Sequence, residues 1–243
     1  MTNLPPLRAG HSALFLDFDG TLADLASRPD AVRVPPDLPD LLDAWHQRLG
    51  GALAIVTGRA RDDLTQWLPT HRWPGAFEHG AVRVGADGIE RTQAGIDLSP
   101  VAAAAQAFAA RHAGLLVEIK KTSLALHYRL NPALGTACVD MLARAIDEQP
   151  GLRLMHGKAV VEVKAADAGK GKAIEAFMNE SPFLGRQPWF AGDDVTDEDG
   201  FDVVASLGGA SIKVGDGPTR AHHRCTGPTA LRTWLRRALE SDT

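Results

Sequence analysis

Three short apolar runs in this chain stop on an oxygen-bearing side chain: ALFLD at 13–17, ALAIVT at 52–57 and PWFAGDD at 188–194. Runs of this length are strands rather than helices, and near-continuous apolarity marks strands buried on both faces, as in a parallel sheet. Helical patterns alternate with them. From about Asp37 to Leu49, Leu38, Leu41, Leu42, Trp45 and Leu49 recur at helical spacing, and Gly50–Gly51 ends the pattern. This alternation predicts an α/β domain with a parallel sheet covered by helices on both sides. Ligands of such sheets bind beyond the carboxyl ends of the strands, so Asp17, Thr57 and Asp193 are expected to converge on one crevice.

The order changes in mid-chain. ARDDLTQWLP predicts a short helix ending before Pro69, and EHGAVRV at 78–84 predicts a strand closing the first half of the sheet. After Ser99, a helix to about Ala113 capped by Ser99 and Pro100 precedes two strands, LLVEI and SLALHYRL; a helix over 133–148 and strands over 152–156 and 159–164 repeat that order. The segment 99–168 therefore reads as αββ twice, an α+β (αββαββ) domain inserted into a Rossmann-like parallel-sheet core made of 1–98 and 169–243. The insert carries eight Lys plus Arg and six Asp plus Glu, a net +2, which leaves −6 on the rest of a chain whose total is −4.

That balance excludes the overall basic field that draws nucleic acid or an anionic membrane, and neither is expected as a partner. The first apolar run is too short for the core of a signal peptide or for a membrane span, so a cytoplasmic location is expected, and the chain is expected to act as a monomer. Cys138 and Cys225 lie far apart without metal or redox spacing and read as two reduced, partly buried thiols.

Asp17 and Asp19 pose the chemical question. On an extended backbone they lie on one side while Phe18 turns away, and two ionised carboxylates that close repel each other and lose hydration. A divalent cation between them resolves the conflict, and Gly20 and Thr21 permit the sharp turn that follows.

DFDGTL after an apolar strand resembles the first motif of the haloacid dehalogenase-like (HAD) superfamily of aspartate-nucleophile phosphohydrolases. The resemblance implies that Asp17 attacks phosphorus and that Asp19 protonates the leaving alcohol and then deprotonates water. A carboxylate nucleophile splits a very slow monoester hydrolysis into two steps. IVTGR at 55–59 is similar to the second motif, implying that Thr57 binds the transferring phosphoryl group, with Gly20 and Gly58 beside it; Arg59 either pairs with the phosphate or caps the next helix. GKGKAI at 169–174 resembles the third motif and assigns the charge-neutralising lysine to Lys170. FAGDDVTDEDGF at 190–201 resembles the fourth and supplies Asp193. The implied cofactor is Mg²⁺, held by Asp17, the Asp19 carbonyl and Asp193, with Asp194 and Asp197 as outer partners of water and of Lys170. Where many relatives carry Asn-Asp, this chain has Thr196 and Asp197.

VEIKKTSLALHYR at 117–129, GKAVVEVK at 157–164, GDDVTDEDGF and EHGA look like signatures of the trehalose-6-phosphate phosphatase family, whose insert is a substrate-reading cap. The implied sugar readers are Glu118, Lys120 and Glu162, with Lys158 and Arg129, and the implied partner is a small sugar phosphate. Spacing alone allows a plainer reading, since Glu118 with Lys120 and Glu162 with Lys164 could be cross-strand ion pairs on a wet sheet face. Two other functions share the motifs, a phosphomannomutase-like isomerase and a sugar-phosphate sensor without turnover. The expected activity is hydrolysis of the sugar phosphate through an aspartyl phosphate.

Overall fold

The structure is a computed structural model that describes residues 4, 6–25, 32–68, 73–92, 97–120, 122–147, 149, 151–157, 159–166 and 168–240. The chain divides into two compact units, one made of 1–91 with 169–243 and the other of 92–168.

In the first unit the strands are short and apolar and the helices amphipathic. Chain order begins with β1 (Ser12–Leu16), α1 (Leu38–Arg48), β2 (Leu53–Val56), α2 (Arg61–Leu64), β3 (Gly75–Phe77), β4 (Val82–Val84) and β5 (Glu90–Thr92). The second unit contributes α3 (Ser99–Ala109), β6 (Leu116–Ile119), β7 (Ser123–His127), α4 (Gly135–Asp147), β8 (Leu152–Gly157) and β9 (Val160–Ala165). The first unit resumes with α5 (Lys170–Met178), β10 (Gln187–Gly192), α6 (Glu198–Ser206), β11 (Ala210–Val214), β12 (His223–Cys225) and α7 (Pro228–Glu240).

The main sheet has the order β12-β11-β10-β1-β2-β3-β4-β5. Every pairing from β12 to β3 is parallel, whereas β4 returns antiparallel to β3. β1 sits in the middle with all five residues buried, as a strand covered on both faces must be. Its Phe15 is in register with Ala54 of β2 and Phe190 of β10, and it stacks on Phe183. α1 buries Leu38, Leu41, Leu42 and Trp45, the stripe its spacing predicts.

In the second unit an antiparallel sheet of order β6-β7-β9-β8 carries α3 and α4 on one face. Val101 and Ala105 of α3 and Cys138 and Leu142 of α4 close over Leu124, Leu126, Val161 and Val163. This αββ repeat and the parallel core are the architecture expected. The cysteines are free and buried, and burial raises both thiols.

Two local expectations need correction, and two edge strands were not expected. The strand expected over 78–84 does not exist as one element: β3 ends at Phe77, and Glu78–Gly80 forms a 3₁₀ turn because Glu78 (φ 49°) and His79 (φ 57°) leave the extended region. The edge strands β5 and β12 are three residues long and carry polar side chains, so no apolar run announces them. Ser99 and Pro100 are the first residues of α3 and not its cap, which is Leu98 without a side-chain bond, while the Asp97 carboxylate accepts the Ser99 N–H at 2.9 Å. Among the described residues, no helix is long and apolar enough to cross a membrane.

Candidate active site

The carboxyl ends of β1, β2 and β10 deliver Asp17, Thr57 and Asp193. Asp17 still follows the ladder, its N–H donating to Ala191 O at 3.0 Å, and is 4% exposed. The chain then curls back on itself. Leu22 and Ala23 N–H both donate to Phe18 O at 2.9 Å, and Gly20 N–H donates to Ala23 O at 2.8 Å. Gly20 takes φ +73°, and a Cβ there would lie 2.0 Å from Asp193 Oδ2, so only glycine lets the two strand tips approach. From α7 the buried Arg232 donates to Leu22 O at 2.6 Å and pins the turn.

Lys170, the first residue of α5, donates to Asp17 Oδ1 at 2.8 Å and to Asp197 Oδ1 at 2.6 Å. All three side chains are buried. Burial opposes the ammonium charge, yet Asp17 and Asp197 outweigh it and raise the Lys170 pKa. The other oxygen of Asp197 accepts the N–H groups of Asp193 (3.0 Å) and Asp194 (2.9 Å), giving that carboxylate three hydrogen bonds. Asp194 is exposed and caps the following turn through Val195 N–H at 2.6 Å. Lys213 of β11 donates to the Asp193 carbonyl, and Thr21 Oγ1 lies 3.4 Å from Asp193 Oδ1.

One ammonium does not neutralise this cluster. Burial, against the pull of Lys170 and with the push of Asp197 and Asp193, drives the Asp17 carboxyl well above the usual carboxylate range. Burial and then the Asp197 charge push Asp193 up to about 6. One oxygen from each of Asp17, Asp193 and Asp197 lies within 4.8 Å of the others. Asp197 already accepts three hydrogen bonds and Asp17 and Asp193 one each, so Asp17 and Asp193 have the most acceptor capacity left. An all-oxygen donor set with excess negative charge fits a hard divalent cation.

Asp19 turns away from that cluster. Arg59 grips it with both arms, Nε to Oδ2 at 2.6 Å and Nη2 to Oδ1 at 2.7 Å. Arg59 is itself held over Trp67, 4.5 Å from the ring centroid, and donates its N–H to Thr57 Oγ1 at 3.2 Å. Both carboxylate oxygens of Asp19 are thus engaged by Arg59.

A cavity of about 340 Å³ opens over these groups, lined among others by Asp17, Asp19, Gly58, Lys170 and Asp193. His79 also lines it; its EHGA stretch resembles the family, but no role was attached to the histidine. The signal in the sequence was the EHGA stretch at 78–81, which the strand expected over 78–84 concealed.

The remaining candidates belong to the second unit. By register, Glu118, Ala125, Glu162 and Met155 form one rung across its sheet, and Arg153 pairs with Lys164 and Lys164 with Ser123 on the next. Lys120 joins that second rung, its N–H donating to Ser123 O at 2.9 Å. Period two places all of these opposite the α3/α4 face. Lys120 Nζ lies 3.9 Å from Glu162 Oε1, and His127 Nε2 lies 2.9 Å from Glu118 Oε2. Arg129 is exposed beyond the end of β7, and Lys158 lies outside the described residues.

The parallel core with its antiparallel insert is an α/β phosphatase fold. The family model of the trehalose-phosphatases matches residues 15–228, and the chain belongs to that family. It is 45% identical over 205 residues to a protein of Sinorhizobium fredii named a probable trehalose-phosphate phosphatase, covering 84% of this chain and 77% of that one. It is 38% identical over 237 residues to the trehalose-6-phosphate phosphatase of Escherichia coli K12, covering 97% and 89%. The crystal structure of a trehalose-6-phosphate phosphatase related protein superposes with a TM-score of 0.74 at 25% identity, covering 94% of this chain and 97% of that one.

Proposed function

We propose that this chain is a Mg²⁺-dependent, cytoplasmic, monomeric phosphatase that hydrolyses trehalose 6-phosphate to trehalose and phosphate through a phospho-Asp17 intermediate. The observation that carries the reading is the buried Asp17–Lys170–Asp197 chain with Asp193 beside it, in a chain 38% identical to a trehalose-6-phosphate phosphatase.

Lys170 holds Oδ1 of Asp17 and leaves Oδ2 as the attacking atom. When bound, the cation supplies the charge neutralisation that lets a carboxylate approach a phosphoryl group. In the first step Asp17 forms a bond to phosphorus, the bond from phosphorus to the sugar oxygen breaks, and Asp19 gives its proton to the departing oxygen. In the second, water attacks phosphorus, Asp19 takes the proton, and Asp17 and inorganic phosphate are released. Thr57 and Gly58 face the phosphoryl group, and Arg59 keeps hold of one Asp19 oxygen, orienting the carboxyl, while the other leaves the fork to reach the leaving group. Glu118, Lys120 and Glu162, with Arg129 and Lys158, read the sugar hydroxyls, which accept from ammonium groups and donate to carboxylates.

Phosphate release should be measured on trehalose 6-phosphate and on sucrose, glucosylglycerol and mannosylglycerate phosphates, with Mg²⁺ and with EDTA. Trehalose 6-phosphate is turned over fastest, EDTA stops the reaction, and Asp17→Asn is folded and inactive. An active Asp17→Asn, or an isomerised sugar phosphate in place of free phosphate, rejects the reading.

A further inference from the structure

We propose that His79 is a phosphoryl-contacting residue of this site, its ring N–H donating to an oxygen of the bound phosphate group. The inference rests on the proposed phosphatase reading for its substrate, and on the backbone for its argument.

Two consecutive residues, Glu78 and His79, adopt the left-handed region at φ 49° and 57° although neither is glycine. Such conformations cost free energy and persist only where the surroundings impose them. Here they do. The Glu78 N–H donates to Arg59 O and the His79 N–H to Thr57 O, both at 3.0 Å, so the turn is fastened to the segment that follows β2. Gly80 makes the next contact possible, since a Cβ on it would lie 2.5 Å from Gly169 O, just ahead of Lys170. The strained turn is therefore clamped between the backbones that position Thr57 and Lys170.

What the clamp delivers is the imidazole. A Cβ on Gly58 would lie 2.4 Å from His79 Cε1 and 2.6 Å from Nε2, so residue 58 is glycine where the ring needs its space. His79 lines the same cavity as Asp17, Lys170 and Asp193. It lies against the backbone next to Thr57, which places it at the phosphoryl end. In the complex we propose, the ring turns an N–H to an anion that the surrounding acids cannot serve.

Inorganic phosphate is the probe, measured as a product inhibitor and as a ligand by calorimetry in Mg²⁺ buffer. His79→Ala should weaken phosphate by about 10- to 100-fold, the loss of one hydrogen bond to a charged group. His79→Asn tolerates the left-handed backbone, keeps an N–H donor, and should recover part of that loss. Phosphate binding unchanged in His79→Ala overturns the proposal, as does an equal loss in both variants with a lowered melting temperature, which marks a structural role. A protein that binds phosphate through His79 yet releases none from trehalose 6-phosphate would sink the proposed function and leave this inference standing.

Discussion

Lys170 is 3% exposed between two buried carboxylates, and its replacement is the sharpest test of how this centre is held together. Lys170→Met fills the volume and strands Asp17 and Asp197 without their partner, a loss of about 3–5 kcal/mol for a broken buried pair. Denaturant unfolding of the metal-free protein measures it, and a change under 1 kcal/mol would mean that the acids hold each other through shared protons. Arg59 makes a different test. Lysine cannot reproduce two parallel N–H···O bonds, so Arg59→Lys should loosen Asp19 and lower kcat by about 10- to 100-fold with little change in KM. A raised KM with kcat intact would place Arg59 on the substrate instead. Asp17 and Asp193 were legible in the sequence because an apolar strand ending in an acid is a local pattern. The grip of Arg59 on Asp19 was not, because it joins residues 40 positions apart through side-chain geometry that spacing does not encode.

α7 shows how an element far along the chain governs the site. Its Trp234 and Leu235 bury into the core, Leu235 O accepts the Trp45 indole N–H of α1 at 3.2 Å, and Arg232 reaches Leu22 O in the turn after β1. Arg232→Leu keeps the helix apolar and removes that donor. Stability should fall by about 1–3 kcal/mol, the cost of a buried carbonyl losing its partner, and kcat should fall with it because the same turn carries Asp19. Wild-type kcat in a destabilised variant would show that the turn holds its own shape. α1, with its clear period, could be read directly from the sequence. The 78–84 strand could not, since its alternation of side chains says nothing of the left-handed backbone at Glu78 and His79. β12 has one buried residue in three, too little pattern to detect.

The whole molecule concentrates unbalanced negative charge at one end of its sheet, and pH and metal act on that charge together. Alternating strands and helices made the parallel core legible, but nothing local states that β10 returns to lie beside β1, and that pairing is what brings Asp193 to Asp17. With Asp193 pushed up to about 6 from 3.8 and Asp17 raised in the same direction, the metal-free fold binds protons that the unfolded chain has already lost. The stability these groups contribute is full below about pH 4 and drains away as pH rises through 6. A cation that takes the place of those protons stabilises most where they are gone. The gain from Mg²⁺ over EDTA should therefore be small at pH 5, grow through pH 6 and level off above pH 7, reaching about 2.7 kcal/mol at a hundredfold excess over Kd. For a chain of this size that is a rise of roughly 5–10 °C in Tm. Thermal melts at pH 5, 6, 7 and 8 in the two buffers measure it, and an Mg²⁺ shift independent of pH would show that the ion binds somewhere other than between Asp17 and Asp193.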